Sequence, residues 1–472
     1  MNRLGFLTAM ALTVLGGCSA ASESESPQGI READRAQAGV SGERSETEGA
    51  ALPFALGAGG VLGTGGAPIT ELTREHVAGD VYHYAFVLSV GETPNAKLRI
   101  HRVAREIRPW QPRPARDAVL LLHGDFATFV TNFAPSLGSP PSPGTGLSVY
   151  LAERGIDVWG VDRRWARVPA TSTDTSDFGD MGVAQEIDDI GRALGIARVV
   201  RAATGGGAGQ LILSGFSHGG QLAYAYASTE AKRPARERHV KGLVPLDVYA
   251  AIAPEDEALR KAACNSRDFE RQALADGIVD ADNGFVLDLG GRALAAPNAP
   301  SPYFEALQLT NREALLHMVG QTYRLFEPLP PLYAPRYHLA SGVIERGKVI
   351  GLRESSEDVV ARWFAGGAFH QSMREGAELD ALWCNEGPLP VDVPLERIRV
   401  PLFYIGTAGG FGDHGLYSTT RVGSTDVTTL VLRRFPVERE AEDFGHGDIL
   451  YGREAPQRAW RPLAAWIRAH GG

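Results

Sequence analysis

Apolar and polar positions along this chain fall into two regimes. Residues 81–88 and 96–103 alternate with the period of a strand on either side of Gly91-Glu92-Thr93-Pro94-Asn95, which predicts an antiparallel pair. Short apolar runs follow at residues 119–122, 157–161, 211–213, 243–246, 402–405 and 428–432, the first of them, from Ala118, continuously apolar as a strand buried on both faces would be. Helix-like segments separate them, and this alternation predicts an α/β fold with a mainly parallel sheet flanked by helices. Residues 460–470 read as a closing amphipathic helix.

Between Asp247 and about Asp392 the alternation stops. Helical pattern replaces it, with aromatic or proline-rich stretches such as Tyr303-Phe304, Tyr323 to Pro331 and Trp363-Phe364. This predicts a mostly helical cap, residues 251–394, inserted between two strands of a core formed by residues 68–250 and 395–472. Such a cap would cover the C-terminal edge of the sheet, where a switch in strand order leaves a crevice for ligands. Its aromatics serve either as the cap's own small core or as the lining of an acyl pocket.

The N-terminus has the pattern of an address. Asn2-Arg3 is a short basic start, residues 4–15 are apolar but too short to span a bilayer, and Leu15-Gly16-Gly17-Cys18 follows. Small residues before a cysteine resemble a bacterial lipoprotein cleavage box. The resemblance implies a signal peptide over residues 1–17, lipidation of Cys18 and a membrane-anchored envelope protein. Ser19, in place of an aspartate, points to the outer membrane. Residues 18–67 carry Ser, Glu, Gly and Ala with almost no large apolar side chains, so they cannot bury enough surface to offset ordering and are expected to form a disordered tether.

The 472 residues carry a formal net charge of -9 with interspersed signs, which leaves no basic stripe for nucleic acid. Three cysteines are present. With Cys18 assigned to lipid, Cys264 and Cys384 remain; an oxidising envelope favours a disulfide between them, and two buried thiols are the alternative.

The chemistry centres on Gly215-Phe216-Ser217-His218-Gly219, a G-x-S-x-G pentapeptide directly after an apolar run and before a good helix former. A nucleophilic serine on a sharp strand-to-helix turn needs small residues two before and two after it. Upstream, residues 118–122 end in His123-Gly124-Asp125-Phe126, a turn placed to carry an oxyanion donor. Downstream come Asp413, after the run at 402–405, and His446 in the loop Asp443 to Asp448. The order is Ser, Asp, His.

On these residues the chain resembles the α/β-hydrolase superfamily, over roughly residues 80–250 and 395–472. Residues 155–164, Asp177-Phe178-Gly179-Asp180-Met181 and His446-Gly447-Asp448 are similar to the matching stretches of acid-lipase-like members. The resemblance implies a triad of Ser217, His446 and Asp413, with Asp247 as the alternative acid because some members carry it one strand earlier. It also implies an oxyanion hole from the backbone N–H groups of His218 and Asp125. No cofactor is expected. The expected activity is hydrolysis of carboxylic esters, esterase- or lipase-like, on a small-molecule ester or a lipid. Acyl transfer or amide hydrolysis by the same triad, and a non-catalytic envelope lipoprotein on this scaffold, are the alternatives. His123-x-Asp125, Asp413-His414 and His446-x-Asp448 are pairs of metal-ligand types, but no zinc spacing appears, so no metal is expected.

If Cys18 carries the anchor, Cys18→Ser should move the protein out of the membrane fraction without altering the folded domain. Mass spectrometry of the mature terminus checks this, and any terminus other than an acylated Cys18 refutes it.

Overall fold

A computed structural model describes residues 69–325 and 334–471. The expected signal segment, Cys18, the tether and most of the proline-rich stretch ending at Pro331 lie outside the described residues. Twelve strands are present among the described residues: β1 (Ile69–Ala78), β2 (Val81–Ser89), β3 (Lys97–Arg108), β4 (Gln111–Pro112), β5 (Ala118–Leu122), β6 (Asp157–Asp162), β7 (Leu211–Phe216), β8 (Val240–Leu246), β9 (Gly342–Glu345), β10 (Lys348–Leu352), β11 (Leu402–Thr407) and β12 (Val427–Leu432). Ten of them form one sheet in the order β1-β2-β3-β6-β5-β7-β8-β11-β12, with β4 paired to β3.

The apolar runs became the six parallel strands from β6 to β12. All residues of β5, β6, β7 and β11 are buried, which is why their sequences are continuously apolar rather than alternating. The expected antiparallel pair is β2 with β3, in register Phe86 opposite Ile100, and β3 continues antiparallel onto β6. Strand β1 adds an outer edge that the hydrophobic pattern did not announce, because its residues are largely exposed and polar.

Helices flank the sheet. The helix Leu147–Glu153 meets the C-terminal segment through Tyr150 and Trp460, whose rings lie 5.4 Å apart. The long helix Val183–Ala203 packs on His218–Glu230, where Gly191 leaves room for the Tyr226 ring. Among the described residues no helix is long and apolar enough to cross a membrane.

Strand order decides where a ligand can sit. The chain passes from β5 to β6 on one side, then crosses back to place β7 on the other side of β5, so the order reverses at β5. Connections diverge there and leave a crevice at the C-terminal ends of β5 and β7. Among the described residues between β8 and β11 lie five α-helices, Glu257–Ala275, Gly284–Ala295, Asn311–Gly320, Glu357–Ala365 and Met373–Cys384, and the small hairpin β9–β10. Local signals start several of them. Thr310 and Glu313 form a reciprocal capping box, and the Ser356 and Ser372 hydroxyls accept from the Val359 and Glu375 N–H groups.

Cys264 and Cys384 are joined by a disulfide that ties the first of these helices to the last, across 120 residues of chain. Closing so long a loop removes much entropy from the unfolded chain. The double variant Cys264→Ala/Cys384→Ala should therefore lose about 2–5 kcal/mol of stability, measured by urea unfolding.

Candidate active site

Strand β7 ends at Phe216, and Ser217 turns the chain directly into the helix His218–Glu230 with φ 56° and ψ -132°. That left-handed backbone is unfavourable for a residue with a Cβ, by roughly 1–3 kcal/mol, and persists only where the surroundings over-determine it. Here a Cβ on Gly215 would overlap the Gly219 carbonyl, and one on Gly219 would lie 2.5 Å from the His123 carbonyl oxygen. Only glycine lets β5, β7 and the helix approach this closely. The Ser217 N–H donates to Leu246 O at 3.1 Å, which hangs the turn on the neighbouring strand. Its side chain stays partly exposed at the crevice.

His446 follows β12 on a buried loop. Its ring stacks on Phe216 at 4.4 Å between centroids, meets Phe411 edge-on at 5.2 Å and lies 5.3 Å from the Tyr337 ring. Stacking on Phe216 brings the imidazole to the residue just before Ser217. Nδ1 lies 2.7 Å from Asp247 Oδ2. Facing a carboxylate, Nδ1 carries the proton, which leaves Nε2 with the lone pair needed in a base.

Asp247 is fully buried at the end of β8. Its carboxylate accepts from the Thr407 N–H at 2.7 Å, the Thr407 hydroxyl at 3.0 Å, the Phe411 N–H at 3.2 Å and the Gly412 N–H at 3.1 Å, besides His446. The structure thus places the alternative acid, Asp247, on the histidine. Asp413 sits instead in the first turn of the helix Gly412–Arg421, its side chain 60% exposed and paired with Arg433 at 2.5 Å. The glycine run Gly409 to Gly412 accounts for the difference. It does not deliver Asp413 to the histidine; it folds around Asp247, and a Cβ on Gly410 would overlap that carboxylate.

The oxyanion candidates face the same crevice. Among the described residues the N–H groups of Asp125 and His218 donate to nothing, and a Cβ on Gly124 would lie 3.1 Å from Ser217 Cβ, so the β5 turn abuts the serine. Their side chains meet each other, His218 Nδ1 to Asp125 Oδ2 at 2.5 Å. Burial alone would lower the His218 pKa, but the Asp125 carboxylate reverses that and the net shift is upward. Burial likewise opposes the Asp125 charge, and His218 outweighs it, so Asp125 is held below the usual carboxylate range.

Of the residues that support the site, Gln371, Glu375 and Trp165 carried no sequence signal. Gln371, in the insertion, donates from Nε2 to Asp125 Oδ1 at 2.9 Å and accepts from the Phe126 N–H at 3.1 Å. Arg163, just after β6, donates to the His123 and Gly124 carbonyls and pairs with buried Glu375 from the helix Met373–Cys384. Trp165 Nε1 donates to the other Glu375 oxygen at 2.6 Å. His123 is structural: burial pushes its pKa down to about 3, and the neutral ring donates to Gly124 O and accepts from the Arg163 N–H. Asp448 fixes the His446 loop, accepting from the Gly445 and Ser341 N–H groups and the Ser355 hydroxyl.

The three sequence pairs of metal-ligand types form no cluster with ligand spacing among the described residues, and His414 pairs with Asp256 instead. Among the described residues the one cluster with ligand spacing is Cys264, Cys384 and Glu386, whose sulfurs are already bonded to each other.

No family model matches this chain, and no curated protein matches it in sequence. Solved structures do match in shape. A provisionally assigned lipase from Sulfolobus solfataricus is similar at 17% identity, over 84% of this chain and 99% of that one, with a TM-score of 0.56. A monoglyceride lipase from Saccharomyces cerevisiae aligns at 14% identity over 85% of this chain and 94% of that one, with a TM-score of 0.44. A cold-adapted esterase from an Arctic intertidal metagenomic library aligns at 12% identity over 85% of this chain and 99% of that one, with a TM-score of 0.36. At these identities the likeness is one of fold, and only the first is close enough in shape to carry that inference. With the strand order above, the chain has the α/β-hydrolase fold.

If Asp247 sets the His446 tautomer, Asp247→Asn should slow phosphonylation of Ser217 by a fluorophosphonate by up to about 10⁴, and Asp413→Asn should change it less than about twofold. The reverse ranking in folded variants would return the acid to Asp413.

Proposed function

We propose that this chain is a serine hydrolase that cleaves carboxylic esters through Ser217, His446 and Asp247. The observation that carries the reading is the convergence of a left-handed serine turn, an imidazole held by a buried carboxylate and two unengaged N–H groups at one crevice. A serine hydroxyl is nearly inert at neutral pH without a base. Here His446 Nε2 would take the Ser217 proton as Oγ attacks the ester carbonyl carbon, and Asp247 would stabilise the imidazolium that results. The carbonyl oxygen, now an oxyanion, would face the Asp125 and His218 N–H groups. Collapse breaks the bond to the alkoxy oxygen, which leaves as the alcohol after His446 returns the proton. Water then attacks the acyl-enzyme by the same route.

Aromatic surroundings support an apolar acyl group. Phe126, next to the oxyanion turn, lies 5.4 Å from the Trp363 ring and 5.7 Å from Phe364. Acyl transfer or amide cleavage would use the same residues, and esters of graded chain length run beside matching amides separate them. The proposed address is a lipid anchor at Cys18 on the bacterial envelope, which would place the enzyme beside lipid esters.

Fluorophosphonate labelling should fall on Ser217, and Ser217→Ala should lose roughly 10⁶ in kcat on the best ester of the panel. Full turnover by Ser217→Ala, or a label mapped to another residue, refutes the serine mechanism.

A further inference from the structure

Asp125 and His218, which supply the two N–H groups facing Ser217, come from different strand ends, one after β5 and one after β7. Strands β5 and β7 pair in parallel up to Leu122 opposite Gly215, and beyond that pair no backbone hydrogen bond among the described residues joins the two turns. Their side chains do: the carboxylate and the imidazole meet at 2.5 Å, bridging the gap that the backbone donors must span. The turn beyond Asp125 is strained, with Phe126 at φ 42°. Gln371 holds that strain with its two-headed amide, one end on the Asp125 carboxylate and the other on the Phe126 N–H. From below, Arg163 draws on the His123 and Gly124 carbonyls.

Charge makes the arrangement more than a spacer. A carboxylate beside the donors would oppose an oxyanion forming there, and in a water-poor site that repulsion is large. Protonation of the His218 ring, which the adjoining carboxylate favours, would offset it. The groups facing His218 are Asp125 from the β5 turn, Asp380 and Glu375 from the helix Met373–Cys384, and Arg163 from the end of β6, with Glu270 of the helix Glu257–Ala275 against Asp380. The Trp383 ring closes the remaining side at 5.0 Å.

Resting on the serine hydrolase reading, we infer that the His218–Asp125 ion pair, clamped by Gln371 of the insertion, is a charge-balanced brace that sets the oxyanion hole. His218, Asp125 and Gln371 are positioning residues, acting through the backbone donors. The brace ties catalysis to the seating of the insertion, since Gln371 withdraws if that segment shifts. It also ties catalysis to pH. His218 is held above its ordinary pKa, so the pair is intact below that raised value and is lost as pH rises through it.

The test is a cycle of His218→Gln, Asp125→Asn and the double variant, assayed on the ester that the wild type turns over. His218→Gln leaves a bare carboxylate beside the donors, so kcat should fall on the order of 10²–10³, the size of a lost oxyanion donor, with KM little changed. In the double variant two neutral amides can pair, and it should recover at least about tenfold over His218→Gln. A double variant no faster than His218→Gln, or His218→Gln at wild-type kcat, overturns the brace. Gln371→Ala should lower kcat about tenfold and leave ground-state binding alone, whereas a KM effect without a kcat effect would make Gln371 a substrate contact instead and overturn its part. The alkaline fall in kcat expected of the wild type should vanish in the double variant. Imidazole ¹⁵N NMR reads the brace without turnover: His218 should stay doubly protonated at pH 7 in the wild type and lose that proton at lower pH in Asp125→Asn. A neutral His218 at pH 7 overturns the proposal even if ester hydrolysis stands, and failure of Ser217→Ala to abolish turnover refutes the hydrolase reading while leaving the NMR result to decide the brace.

Discussion

The Asp247 carboxylate organises this molecule's centre. A charge with no exposed surface must find donors inside the protein, and Asp247 finds them on three separate pieces of chain. Thr407 supplies two from the end of β11, Phe411 and Gly412 supply theirs from the loop that follows, and His446 completes the set from the loop after β12. Each donor fixes a backbone position as well as a hydrogen bond. The loop at Gly409 to Gly412 must close over the carboxylate, which excludes side chains there. The imidazole must then sit where its second nitrogen is free. Removing the carboxylate would leave several buried N–H groups without it as acceptor, so the group that holds the imidazole also holds the ends of β8 and β11 together.

The insertion between β8 and β11 belongs to the site rather than merely lying over it. Gln371 and Glu375 reach the turns after β5 and β6, and Trp383 wedges between His218 and Tyr249, with its Nε1 donating to the Tyr249 carbonyl at 2.8 Å. Its last helix is also bonded to its first through Cys264 and Cys384. These contacts place charged and polar groups in a poorly hydrated interior, where each needs a partner: Arg163 has Glu375, His218 has Asp125, and the Asp247 carboxylate has the His446 ring. Breaking any one of them strands the other charge. The region behind the serine is therefore stiff, which suits the oxyanion donors of the proposed mechanism.

Around the imidazole the protein supplies rings. Phe216, Phe411 and Tyr337 enclose His446, which is 2% exposed. Water is kept from the imidazole and the carboxylate behind it, so their attraction is screened little. Ser217, beside these rings, stays partly exposed.

The sequence by itself determined the strands of the parallel core and the turn at Ser217. Both are local: an apolar run long enough for one strand forms one here whether it is buried on both faces, as in β5 and β7, or lies at the sheet edge, as in β12, and a serine flanked two residues away by glycines can take a left-handed turn. The loop bearing His446 was legible in the same way, from its position after the last apolar run. Polar edge elements were not, and β1 and the β9–β10 hairpin escaped because strands with exposed faces lack a continuous apolar signal. Only the tertiary structure decided which aspartate meets the imidazole. Asp247 and His446 are 199 residues apart, and Asp413 is closer in sequence and follows the strand where the resemblance expects an acid. What separates them is the path of the glycine loop, which turns its amides toward Asp247 and leaves Asp413 on a helix facing solvent and Arg433. Gln371 and Glu375 became visible only in three dimensions for the same reason: their partners lie more than two hundred residues away, and no spacing rule links side chains that meet only after the insertion has folded onto the sheet.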